Sequence, residues 1–147
     1  GYNYQPNDPS YRAHGIFVND VIITPGKGFH IVNNTIVSPK TDGIRFYSTQ
    51  STGNEIFNNY IVAPKAYIDY QNDGILATDK MDSYINLGAG ATATMENNLF
   101  VSTLDSAGFA DTTNYDYRLT NASPAVDQGR EVTSMGIVIV LYNSSNS

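Results

Sequence analysis

Cysteine is absent from the 147 residues, which excludes disulfides, thiolate metal sites and cysteine nucleophiles. Histidine occurs only as His14 and His30. A histidine-rich metal centre is therefore excluded, whereas carboxylates and carbonyls suffice for a hard cation such as calcium. Positive charge is scarce: 8 Lys and Arg stand against 14 Asp and Glu, a formal charge of -6. That balance argues against nucleic acid or an anionic membrane as partner. No apolar run approaches the roughly 18 residues of a membrane span, and no signal-peptide pattern is present, so the chain reads as a mature protein or a piece of one.

What the chain has in quantity is Asn, Thr, Ser, Gly and Tyr, with only 15% charged residues. This composition favours turns and strands and resembles extracellular β-rich proteins. One phrase is repeated three times: Ile31-Val32-Asn33-Asn34-Thr35-Ile36-Val37, Ile56-Phe57-Asn58-Asn59-Tyr60-Ile61-Val62 and Met95-Glu96-Asn97-Asn98-Leu99-Phe100-Val101, after a weaker version around Asn19-Asp20. Each places two turn-forming residues between two short apolar runs, the pattern of strand, tight bend and strand. A second phrase precedes these: Gly15-Ile16-Phe17-Val18, Gly43-Ile44-Arg45-Phe46 and Tyr67-Ile68-Asp69-Tyr70.

Asn33 to Asn58 is a step of 25 residues, and Asn58 to Asn97 a step of 39. A period of this size indicates a solenoid with one repeat per coil, and the longer step indicates an insertion, expected at about 72–93. The reading is all-β: a single parallel β-helix domain over 1–147, with about three to four coils in 15–104 and a closing segment in 105–147. Three internal columns follow, Ile31/Ile56/Met95, Ile36/Ile61/Phe100 and Ile16/Ile44/Ile68. Asn33, Asn34, Asn58, Asn59, Asn97 and Asn98 are read as a structural ladder, since Asn tolerates the left-handed conformation of a sharp bend and its amide can bond to the same amide one coil away. Residues 1–14 and 105–113 read as loop.

The stretch Asp116-Tyr117-Arg118-Leu119-Thr120-Asn121-Ala122-Ser123-Pro124-Ala125-Val126-Asp127-Gln128-Gly129 resembles the ending of many secreted bacterial right-handed parallel β-helix proteins of the pectate-lyase-like superfamily. The Gly-Ile and Asn-Asn phrases are similar to that superfamily's generic repeat, so the resemblance covers roughly residues 15–129. It implies that Tyr117, Leu119, Pro124 and Val126 close the C-terminal end by apolar contact, with Arg118 and Asp127 pairing or bonding backbone. Nothing in 1–14 resembles a helix that could cover the open end of the stack, and the chain departs from the family after Gly129. Further chain is therefore expected at both ends.

The resemblance also implies a polysaccharide groove on the outer face of the first sheet. By strand alternation the outward residues there are Phe17, Arg45 and Asp69, followed by Asn19, Tyr47 and Gln71. With Asp73 they form a mixed aromatic, cationic and amide surface suited to stacking on sugars and bonding their hydroxyl or carboxylate groups; Phe17, Arg45, Tyr47, Asp69, Gln71 and Asp73 are the candidate substrate-binding residues. Lyases of this fold use a basic residue, with an Arg or calcium ion neutralising a uronate carboxylate; hydrolases use paired carboxylates. Asp79 and Asp82 stand in the expected insertion. Lys40 and Lys65 read as solvated turn lysines, and neither histidine reads as a catalytic base. No catalytic residue or metal ligand is assigned. The chain is thus expected to be the C-terminal part of a secreted carbohydrate-active lyase or glycosidase. The alternatives are a non-catalytic surface or adhesion module and a trimeric tailspike-like fibre.

Overall fold

The computed structural model describes residues 13–19, 28–47, 50–64, 84–88 and 90–131. Within them, β1 (Ile16–Val18), β2 (His30–Val32), β3 (Thr35–Val37), β4 (Ile44–Phe46), β5 (Asn54–Phe57), β6 (Tyr60–Val62), β7 (Ile85–Asn86), β8 (Ala93–Glu96) and β9 (Leu99–Val101) follow in chain order. They are dealt in turn to three parallel three-stranded sheets, β1-β4-β7, β2-β5-β8 and β3-β6-β9. The three sheets are stacked in register, an all-β arrangement compatible with a parallel β-helix.

The bends explain why such short strands hold together. Asn33, Asn58 and Asn97 adopt left-handed φ angles of 58°, 54° and 49°, a conformation Asn reaches more readily than other side-chain-bearing residues. The following asparagines form a line. Asn34 Nδ2 donates to Asn59 Oδ1 at 2.9 Å, and Asn59 Nδ2 donates to Asn98 Oδ1 at 2.8 Å. Asn59, only 1% exposed, also donates to the Ile31 carbonyl at 2.8 Å. Satisfying these polar groups at a buried corner avoids a cost of about 1–3 kcal/mol for each one left unpaired.

The interior follows from strand alternation. Ile31, Ile56 and Met95 are aligned partners, as are Ile36, Ile61 and Phe100. Ile44, Ile56 and Ile61 are fully buried, and burial of such a side chain contributes about 1.5–3 kcal/mol. Met95, last in its column, is 42% exposed.

The third column differs from expectation. Ile16 pairs with Ile44, but Ile44 pairs with Ile85, and Arg45 with Asn86. The extra chain length therefore falls between β6 and β7, and 85–93 belongs to the coil rather than to an insertion at 72–93. Tyr67-Ile68-Asp69-Tyr70 and Tyr84-Ile85-Asn86-Leu87 carry the same pattern of aromatic, isoleucine, polar and apolar residues, so pattern alone chooses wrongly. Gly43 shows why the first two copies carry glycine, because a Cβ there would lie 2.5 Å from Ile61 Cγ2 and 2.7 Å from the Tyr84 carbonyl. Ile68 itself lies outside the described residues.

The segment after β9 is more ordered than a loop. A 3-10 turn at Asp105–Ala107 leads to β10 (Phe109–Asp111), which pairs antiparallel with β11 (Asp116–Leu119). This segment lies on the outer side of the third sheet, where Ala107, Leu104, Phe109 and Ala125 pack with Tyr60, Val62, Leu99 and Val101. Tyr60 Oη and Ser123 Oγ both donate to the Ala107 carbonyl, at 2.8 and 2.7 Å. Tyr117, Leu119, Pro124 and Val126 remain exposed. The contact with the sheet is made by Leu104, Ala107, Phe109 and Ala125, with Tyr117 edge-on against Phe109 at 5.2 Å, and the segment is itself drawn tight where a Cβ on Gly108 would lie 2.4 Å from Ser123 Cα. Arg118 pairs with Asp116 rather than Asp127, at 2.6 Å.

Candidate functional site

The outward row of the first sheet begins with Phe17 on β1 and Arg45 on β4, aligned partners whose neighbours Ile16, Val18, Ile44 and Phe46 turn into the core. Asn86 on β7 takes the third place, which the sequence pattern had given to Asp69. Tyr47 follows Phe46, its amide donating to the Val18 carbonyl at 2.8 Å, and its ring lies 6.3 Å from that of Phe17. Both rings are open, Phe17 being 49% and Tyr47 56% exposed. Arg45 is half-buried and has no ion-pair partner among the described residues. Two aromatic rings and one cation thus share one surface. Asp69, Gln71, Asp73, Asp79, Asp82 and Lys65 lie outside the described residues.

Beside this row sits a polar corner that the motifs did not reveal. His14 and Asp42 each stand one residue before a Gly-Ile strand, so the register of β1 on β4 brings them together. Their carboxylate-imidazole contact is 3.1 Å, from Asp42 Oδ2 to His14 Nδ1. Thr41 Oγ1 lies 2.9 Å from the same nitrogen. The backbone holds this corner closed, with the Gly15 amide donating to the Asp42 carbonyl and the Thr41 amide to the Ala13 carbonyl. The His14 ring stacks on Phe17, with centroids 5.1 Å apart and planes 18° apart. Lys40, in the same turn, is 2% exposed and has a partner, contrary to its reading as a solvated turn lysine. His30 is engaged differently, Nδ1 to Glu55 Oε2 at 2.8 Å on an open surface.

Aligning the two Gly-Ile phrases one residue further upstream would have found the His14–Asp42 pair. Asn54 was missed as well. It is 1% exposed, accepts from the Phe29 amide and donates to the Thr92 carbonyl, tying three coils together. Among the described residues, no three His, Asp or Glu side chains gather to hold a metal ion, and no helix is long and apolar enough to cross a membrane.

No family model, curated protein or solved structure matches the chain. The stacked parallel sheets are compatible with a parallel β-helix.

At the Asn-Asn corner the outer asparagines are occupied by the chain itself. Asn58 Nδ2 donates to the Arg130 carbonyl at 2.8 Å, and the Arg130 amide donates back to Asn58 Oδ1 at 2.9 Å. Asn97 donates to the Gln128 carbonyl. The Arg130 guanidinium lies over the Phe57 ring at 3.9 Å and pairs with Glu96 at 3.3 Å. Amides engaged in this way hold the closing segment and are not free to bind a ligand.

Proposed function

We propose that this chain is part of a secreted right-handed parallel β-helix protein that binds polysaccharide on the outer face of its first sheet. The observation that carries this reading is the open Phe17–Tyr47 ring pair beside Arg45. Aromatic side chains offer rigid apolar faces at little entropic cost. The Arg45 guanidinium, which has no ion-pair partner among the described residues, supplies directional bonds to hydroxyl or carboxylate oxygens. Parallel strands fix these groups on a stiff surface, so little ordering is required on binding. Within the same reading, cleavage as a lyase or glycosidase is a further step tested alongside binding.

The second reading, a non-catalytic surface module, draws on the composition of the outward row. Phe17, Arg45 and Asn86 are recognition groups, with no carboxylate among them. One experiment addresses both. The protein is incubated with a panel of insoluble and soluble polysaccharides, and depletion from solution is scored alongside the appearance of reducing ends and unsaturated products. Depletion without products supports a binding module, products support an enzyme, and neither overturns the carbohydrate reading.

A further inference from the structure

The asparagines of the three bends differ in what their side-chain nitrogens do. Asn34 Nδ2 donates to the Val32 carbonyl at 3.0 Å and to Asn59 Oδ1 at 2.9 Å, so both of its protons are engaged in the ladder. Asn58 Nδ2 donates to Asn33 Oδ1 at 3.1 Å and to the Arg130 carbonyl at 2.8 Å, and Asn97 Nδ2 to the Gln128 carbonyl at 3.2 Å. Asn33 is the exception in the outer row. Its Oδ1 accepts from Asn58, but its Nδ2 makes no hydrogen bond among the described residues. Asn33 is exposed, at the left-handed bend between β2 and β3 where its φ is 58°.

The same bend alone carries an acceptor triplet for N-linked glycosylation, Asn33-Asn34-Thr35. In the other two bends Tyr60 and Leu99 occupy the position aligned with Thr35. Thr35, like Asn33, is exposed. A triplet is short enough to recur by chance, and the chain has two more, Asn121-Ala122-Ser123 and Asn143-Ser144-Ser145. In the first of these the hydroxyl is buried, Ser123 Oγ donating to the Ala107 carbonyl at 2.7 Å, and Pro124 follows it. The second lies outside the described residues.

We propose that Asn33 is an N-glycosylation site whose sugar donor is an oligosaccharide carried on a polyprenyl pyrophosphate. The inference rests on the secreted part of the reading above and not on polysaccharide binding. In the transfer, Asn33 Nδ2 forms a bond to the anomeric carbon of the oligosaccharide. The bond from that carbon to the pyrophosphate oxygen breaks, the lipid pyrophosphate leaves with the electron pair, and one amide proton passes to a base of the transferase. Thr35 supplies the hydroxyl that the transferase requires two residues after the asparagine. The product keeps Oδ1 as an acceptor, so the bond from Asn58 Nδ2 is retained and the ladder loses no donor. The same addition on Asn34 would replace a proton already donated within the ladder.

The test is peptide mapping of the full chain from the cells that make it. Glycan is released with peptide N-glycosidase in heavy-oxygen water, which turns each glycosylated asparagine into a labelled aspartate, and fragmentation places the label within the peptide. Wild-type chain recovered from the medium should carry the label at Asn33 and not at Asn34. Thr35→Val, which keeps a β-branched residue in β3, should lose the label altogether when made in the same cells. The wild-type map decides the matter even if that variant fails to fold. A secreted chain whose Asn33 is unmodified, a label on Asn34 instead, or a label surviving in Thr35→Val overturns this inference alone. A wild-type chain found only inside the cells overturns the secreted reading together with it.

Discussion

The first and third sheets are built alike and treated oppositely. Each consists of three short parallel strands with isoleucines turned inward. On the third sheet the outward residues Tyr60, Val62, Leu99 and Val101 are packed under the segment that follows β9. On the first, Phe17 and Tyr47 stand open. Among the described residues the chain covers the apolar outer face of the third sheet and leaves the aromatic rings of the first open. Open aromatics on a stiff sheet, beside an arginine with no ion-pair partner among the described residues, are the expected composition of a recognition surface. The covered sheet is an anchoring surface.

The largest loss should come at the bend that joins the second sheet to the covered third one, between β5 and β6. Replacing Asn59 with Ala removes donors to Ile31, Phe57 and Asn98 in a nearly solvent-free site. A loss of about 2–4 kcal/mol is expected by urea unfolding. The same replacement at Asn86, on the partly exposed first sheet, should cost no more than about 0.5 kcal/mol.

Next in size is the cover itself. Gly108 has a φ of 67° and no room for a Cβ against Ser123. Gly108→Ala should cost about 2–3 kcal/mol through strain and displacement. Hydrogen exchange should quicken in β10 and β11 while the buried strands β4 to β6 keep their protection.

On the open sheet the expected effect is on binding and not on stability. Tyr47→Ala should weaken polysaccharide binding by about tenfold, the scale of one lost aromatic stacking contact. The unfolding midpoint should stay within about 0.5 kcal/mol of wild type.

The smallest effect concerns the exposed hairpin. Arg118, through hydrogen bonds to both carboxylate oxygens of Asp116, holds that carboxyl down at about 2, from an ordinary 3.8. Because the folded value is the lower one, the pair's contribution is present above the unfolded value and is lost as pH falls toward 2. Carboxyl chemical shifts should show Asp116 titrating near 2 in wild type and higher in Arg118→Gln, where only the backbone amide of residue 118 still donates to it.

How much of this was legible beforehand depends on the kind of signal. The Asn-Asn phrase gave period and register because a left-handed bend between two strands restricts residue choice to few types. Two of the three columns followed directly. The third was misplaced because Tyr67-Ile68 and Tyr84-Ile85 offer the same local pattern, and only spacing to the next Asn-Asn bend separates them. The closing segment was misread for a different reason. Large residues such as Tyr117 and Leu119 attract attention, but the sheet is met by Leu104, Ala107, Phe109 and Ala125, and the close approach of Gly108 to Ser123 shapes the segment that presents them. None of these stands in the Asn-Asn or Gly-Ile repeat, so the coil period gives no signal for them. Phe17, Arg45 and Tyr47 were legible as a face from alternation alone, whereas the His14–Asp42 pair required the coil register.

The most direct measurement of the central claim compares the two faces in one experiment. Heteronuclear NMR on the isotope-labelled chain, titrated with a mixture of plant and bacterial cell-wall oligosaccharides, reports each surface separately. Shifts confined to Phe17, Arg45, Tyr47 and His14, and abolished by Tyr47→Ala, are the predicted result. Shifts clustered instead on Tyr117, Leu119 and Val126, or no shifts at saturating ligand, would contradict the assignment of the open first sheet as the binding face.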